Sequence, residues 1–74
     1  MNKMNVGNLV MFKPEGQYAK WFGGQLGVVE SVSYAADGNL HCRVKWLTPV
    51  KYFDKTTQYS DFAASKFEVY NEAG

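Results

Sequence analysis

Leu40-His41-Cys42-Arg43-Val44-Lys45-Trp46-Leu47 is the stretch on which the fold turns. Apolar and polar side chains alternate along it with a period of two. In an extended strand, successive side chains point to opposite faces. Leu40, Cys42, Val44 and Trp46 therefore share one face, and His41, Arg43 and Lys45 share the other. A helix would scatter the same residues around its circumference. The stretch reads as a half-buried β-strand with Trp46 as its largest core group. Pro49 is expected to end it, because proline has no N–H to give to a ladder.

The residues on either side extend the same reading. Ala35-Ala36-Asp37-Gly38-Asn39 precedes the strand, and Asp37-Gly38 is a strong hairpin signal. Before it, residues 26–34 (LGVVESVSY) are rich in β-branched types and form a second strand, expected to pair antiparallel with the first. Gly27 inside it is expected to mark a bulge or a sharp bend. Nearer the start, Gly7 introduces a strand over residues 8–13. Val10 and Phe12 fall on one of its faces, Leu9 and Met11 on the other, and Pro14 stops it.

Residues 14–25 (PEGQYAKWFGGQ) hold a proline and three glycines and read as a long loop. That loop carries Tyr18, Trp21 and Phe22. After Pro49, residues 48–58 read as a second connection, with Tyr52 and Phe53 among Lys51, Asp54 and Lys55. A short strand is expected over 56–61 and a single 3₁₀ or helical turn over 62–66. A last strand follows over 67–70, with Phe67 and Val69 inward. Residues 1–6 and 71–74 are short polar ends. The class is all-β, with five short strands.

Composition limits what such a chain does. Its 74 residues are 46% hydrophobic and 16% aromatic, with a formal net charge of +1. That describes one small domain over 1–74 and excludes a disordered chain, which would be poor in aromatics and highly charged. Cys42 is the only cysteine, so no internal disulfide forms. With His41 as the only histidine, a structural zinc site is excluded. No metal and no cofactor are expected. The longest apolar run, Leu9 to Phe12, is far short of the roughly 20 residues that span a bilayer, so no membrane partner is expected. A lone reduced cysteine without an export signal points to the cytoplasm, or to a particle assembled there.

Three stretches carry a resemblance. Val6-Gly7-Asn8-Leu9-Val10 with Phe12 is similar to the opening of many small SH3-like β-barrels. Gly27-Val28-Val29, with Arg43-Val44-Lys45-Trp46, resembles their glycine-x-valine and valine-x-tryptophan hairpin. Phe62 through Val69 looks like their closing helical turn and last strand. Over residues 6–70 the chain thus resembles the small stand-alone SH3-like barrels encoded by tailed bacteriophages. The resemblance implies a five-stranded barrel with one short 3₁₀ or helical turn before the last strand. The acidic specificity loop and Ala-Leu-Tyr-Asp-Tyr opening of the peptide-binding signalling barrels are absent.

No catalytic set assembles from the sequence. His41 and Cys42 are neighbours on a strand and point to opposite faces, so they cannot act as base and nucleophile on one substrate. Gly23-Gly24 lacks the Lys-Ser/Thr and helix start of a phosphate cradle. The chain is expected not to be an enzyme. Two surfaces stand out instead. Tyr18, Trp21 and Phe22, faced by Tyr52, Phe53 and Tyr59, offer aromatic anchors for a protein partner or a cage for a cationic side chain. The other reading of Trp21 and Phe22 is that they fold back to cap an open barrel end. His41, Arg43, Lys45, Lys51 and Lys55 form a basic strip around Tyr52 and Phe53. Such a strip fits nucleic acid, or simply a solvated face that protects a sheet edge. The main expectation is a small protein-binding or assembly module, with a nucleic-acid-binding SH3-like or OB-like barrel as the alternative. Monomer and homodimer both stay open.

Overall fold

A computed structural model describes residues 4–71. Strand β1 (Leu9–Phe12) is followed by a one-turn helix, α1 (Ala19–Phe22), and by β2 (Leu26–Tyr34). Strands β3 (Leu40–Tyr52) and β4 (Lys55–Ala63) come next, then a 3₁₀ turn (Ala64–Lys66) and β5 (Phe67–Asn71). All pairings are antiparallel, in one five-stranded sheet of order β4-β3-β2-β1-β5.

The alternation of residues 40–47 holds. Cys42, Val44 and Trp46 are buried, Arg43 and Lys45 are exposed, and Leu40 and His41 are half-buried. Val10, Phe12, Val29 and Phe67 complete the same face and form one cluster with them. The outward face carries Leu9 and Met11, both half-buried. The sheet is strongly curled. Phe12 of β1 lies 4.9 Å from Phe62 of β4 and 5.3 Å from Phe67 of β5, ring centre to ring centre. Phe62 and Phe67 themselves are 6.1 Å apart. The two outermost strands thus approach through their rings, but no backbone ladder joins them and the sheet stays open along that seam.

The β2–β3 hairpin forms where Asp37-Gly38 predicts it. Gly38 N–H donates to the Ala35 carbonyl at 2.9 Å, and Ala35 N–H donates to the Asn39 carbonyl at 2.8 Å. Gly38 takes φ +83°, a conformation open to glycine because it has no Cβ. The Asn39 backbone N–H and side-chain amide both donate to the Asp37 carboxylate, at 2.9 and 3.1 Å, and hold its pKa below the ordinary value.

Four expectations change. First, β3 continues through Pro49. The β3–β4 register breaks between Lys45↔Tyr59 and Val50↔Thr57, so Trp46 to Pro49 stand opposite Gln58 alone. The β2 register ends at Trp46. Pro49 therefore sits where neither neighbour needs its missing N–H. Second, the 48–58 connection is mostly strand, closed by the two-residue turn Phe53-Asp54 with Tyr52 opposite Lys55. β4 is correspondingly longer than the short strand expected, and the 3₁₀ turn is shorter. Third, the 14–25 loop contains α1.

Fourth, Gly27 marks no bulge. It pairs regularly with Val10 and Trp46, and the β2–β3 register slips further along the strand, at Glu30 between Val29 and Ser31. Gly27 is required by close approach. A Cβ there would collide with the Val44 side chain and lie 2.9 Å from the Lys45 carbonyl oxygen. The Gly27→Ala variant is expected to lose about 2–3 kcal/mol or more of stability, the scale of overpacking a filled core. Urea unfolding followed by tryptophan fluorescence measures the loss.

Candidate functional site

The 14–25 segment is drawn back onto the sheet. Gly24 N–H donates to the Phe12 carbonyl at 2.9 Å, and Phe12 N–H donates to the Gln25 carbonyl at 3.0 Å. Within α1, Trp21 and Phe22 N–H groups both donate to the Tyr18 carbonyl, at 3.1 and 3.0 Å. One helical turn sends neighbouring side chains in different directions. Phe22 points down and Trp21 points out. Phe22 is 3% exposed and stacks on Trp46 with ring centres 5.3 Å apart. It also lies 5.2 Å from Phe62.

The two roles considered for the aromatic loop are thereby divided. Phe22 caps the core and is no surface anchor. Trp21 is half-buried, with its ring 4.8 Å from Tyr52 and 4.8 Å from Phe53. Tyr18 lies 5.4 Å from Phe62 and 6.2 Å from Tyr52. Tyr18, Trp21, Tyr52 and Phe53 thus form one continuous aromatic surface, contributed by two segments far apart in sequence. Tyr59 does not join it. Its side chain lies on the outward face, its ring 6.0 Å from Lys45 Nζ.

Beside this surface runs a shallow groove of about 290 Å³, lined by Tyr18, Phe22, Tyr52, Thr57, Ser60, Asp61 and Phe62. Ser60 Oγ accepts the Trp46 indole N–H at 2.9 Å, so the groove rests on a satisfied core tryptophan. Small-molecule sites run to about 300–1,000 Å³. A shallow groove at the bottom of that range suits a side chain of a partner better than a whole small molecule.

Phe53 is the unusual member. It is 64% exposed and is the single non-glycine residue with positive φ (58°) among the described residues. A bulky side chain in that region is a true conformational outlier, costing on the order of 1–3 kcal/mol. Glycine or asparagine at the first position of a two-residue hairpin turn would avoid the cost. The turn instead presents a phenyl ring to solvent.

The basic strip does not hold together as one surface. Arg43 Nε and Nη2 donate to the two carboxylate oxygens of Asp61 at 3.0 and 3.1 Å. The Arg43 hydrogen bonds hold the Asp61 carboxyl below the usual range, and Asp61 raises the Arg43 guanidinium in turn. Arg43 is thus neutralised within the chain. His41 is half-buried beside it, and Lys45 leans toward Tyr59. Lys51 and Lys55 belong to the β3–β4 hairpin and flank Tyr52 and Phe53. Lys20 joins them, with Nζ 4.4 Å from the centre of the Trp21 ring. Sequence reading missed Lys20, Asp61 and Phe62. Lys20 beside Trp21 carried a usable signal. Asp61 and Phe62 carried none, because the register break in β3 hides which residues they oppose.

The remaining chemistry is sparse. Cys42 is 2% exposed, and burial pushes its thiol up to about 11. Among the described residues no group of three or more His, Cys, Asp or Glu side chains is arranged to hold a metal ion. No helix among them is long and apolar enough to cross a membrane. No family model matches the chain, and neither the curated proteins nor the solved structures contain a match to it.

Two outcomes follow from the ionisable groups. Cys42 should stay silent toward Ellman's reagent at pH 8 in the folded protein and react fully in denaturant. In the Arg43→Gln variant, the Asp61 carboxyl should return toward about 4, its ordinary value, as read by carbon NMR titration. Because pairing lowers the Asp61 pKa, its stabilisation is present above the ordinary carboxylate range. It fades as pH falls through the folded value. The stability difference between wild type and variant should therefore shrink on acidification.

Proposed function

We propose that the protein is a non-catalytic binding or assembly module that engages a protein partner through Tyr18, Trp21, Tyr52 and Phe53. The observation that carries this reading is Phe53: a large apolar ring, exposed, on a backbone conformation that disfavours it. Its ring touches Trp21 and Tyr52, but glycine would relieve the backbone cost that offsets those contacts, so keeping a mostly exposed ring there fits a use outside the chain. Aromatic side chains supply much of the energy of protein interfaces. The burial of the Cys42 thiol supports the non-catalytic part of the reading.

The architecture we propose is an SH3-like barrel. Supporting it are the strand order β5-β1-β2-β3-β4, the 3₁₀ turn between β4 and β5, and the aromatic contacts across the open seam. A cytoplasmic phage-type accessory or structural protein is the setting that fits this reading.

The test compares three baits in a quantitative pull-down from native lysate, with and without nuclease: wild type, Trp21→Ala and Phe53→Gly. Phe53→Gly should unfold within about 1 kcal/mol of wild type, since relief of the positive φ offsets the lost ring contacts. It should nonetheless lose the captured protein. Capture that survives both substitutions, or that vanishes with nuclease, overturns the proposal.

A further inference from the structure

From the charges around the aromatic surface we infer that its partner is an acidic segment with an apolar side chain for the groove. The inference rests on the protein-binding reading and names the chemistry of the partner. Lys20 lies on the Trp21 ring at 4.4 Å. Lys55 stands opposite Tyr52 in the β3–β4 ladder, on the groove side, since cross-strand partners share a face. Lys51 adjoins Tyr52 on the other side of the hairpin. The Arg43–Asp61 contact is the one ion pair among the described residues, so these three lysines carry charge without a carboxylate partner.

Acidic groups nearby do not balance them. Asp54 sits in the turn beside Phe53. Asp61 lines the groove, but both of its oxygens already accept hydrogen bonds from Arg43. The chain as a whole is nearly neutral, yet this end presents Lys20 and Lys55 beside the half-buried rings and the exposed Phe53, with Lys51 on the outer face of the hairpin and Asp54 as the unpaired anion. Charge complementarity of this kind selects an anionic partner and speeds its encounter.

Two other occupants fit less well. A cationic ligand would meet three lysines, and the Trp21 face that would hold it already carries Lys20. A single-stranded nucleic acid needs open, accessible ring faces for its bases. Here the rings pack onto one another at steep angles, 79° for Trp21 on Tyr52 and 63° for Tyr52 on Phe53. What projects is one phenyl ring beside a side-chain-sized groove. An apolar side chain can enter that groove while neighbouring Asp or Glu residues reach Lys20 and Lys55.

The experiment is selection from a random-sequence peptide library on four baits, with fold checked by circular dichroism. The baits are wild type, Lys20→Glu/Lys55→Glu, Lys20→Met/Lys55→Met and Trp21→Ala/Phe53→Gly. Wild type should enrich peptides in which Asp or Glu flanks a large apolar residue. Those peptides should bind the Lys→Met bait about tenfold more weakly, bind the Lys→Glu bait less still, and weaken with added salt. Peptides that need Trp21 and Phe53 but show no acidic excess overturn the charge inference and leave the binding surface standing. Enrichment no greater than on the Trp21→Ala/Phe53→Gly bait overturns the surface itself. Oligothymidine binding that depends on Lys20 and Lys55, without peptide enrichment, overturns both in favour of nucleic acid.

Discussion

The seam between β4 and β5 is the constraint around which the molecule is arranged. A small domain leaves a large share of its surface in water, and this one has two sheet edges that no ladder joins. Phe12, Phe62 and Phe67 close the gap by ring contact, and Phe22 enters from α1 to complete the plug. Much of the aromatic content is therefore structural. The 14–25 segment cannot be an independent loop, because its Phe22 is part of the core. That requirement brings Trp21 to the surface next to the β3–β4 hairpin. The aromatic surface is a by-product of how the core is sealed.

The same geometry explains what sequence alone could and could not supply. Strict alternation made residues 40–47 legible, and Asp37-Gly38 made the hairpin before them legible, since both signals are local. Pro49 misled because a proline ends a strand only where a neighbour needs its N–H. The register break from Trp46 to Pro49 removed that need, and a break of that kind depends on β4. Gly27 misled for a related reason. A glycine in a strand is compatible with a bulge or with close packing, and only the position of Val44 distinguishes them. For the site, the aromatic residues were visible as types. Their division into Phe22 inside and Trp21 outside required one helical turn that four residues could not announce.

Charge followed a similar course. Along the chain, residues 41–55 look like one basic strip. In the fold, Arg43 is spent on Asp61, and the hairpin lysines regroup with Lys20 from another segment. A near-neutral total thus conceals a cationic aromatic end. Pairing distances of 3.0 and 3.1 Å, rather than composition, determine which cations remain without an acid beside them.

The β3–β4 irregularity has a consequence for the free side of β4. Ser60 lies opposite core-facing Val44 and Thr57 opposite core-facing Val50, so two residues three apart face the same way. Regular alternation would put them on opposite faces. The strand therefore changes hand at Gln58. Close by, the Thr57 hydroxyl donates to the Tyr59 carbonyl at 2.6 Å. A flat, uniform edge is a template on which further chains add without limit. This edge has no continuous register to copy. The β4 edge is therefore a poor template for the addition of a further strand.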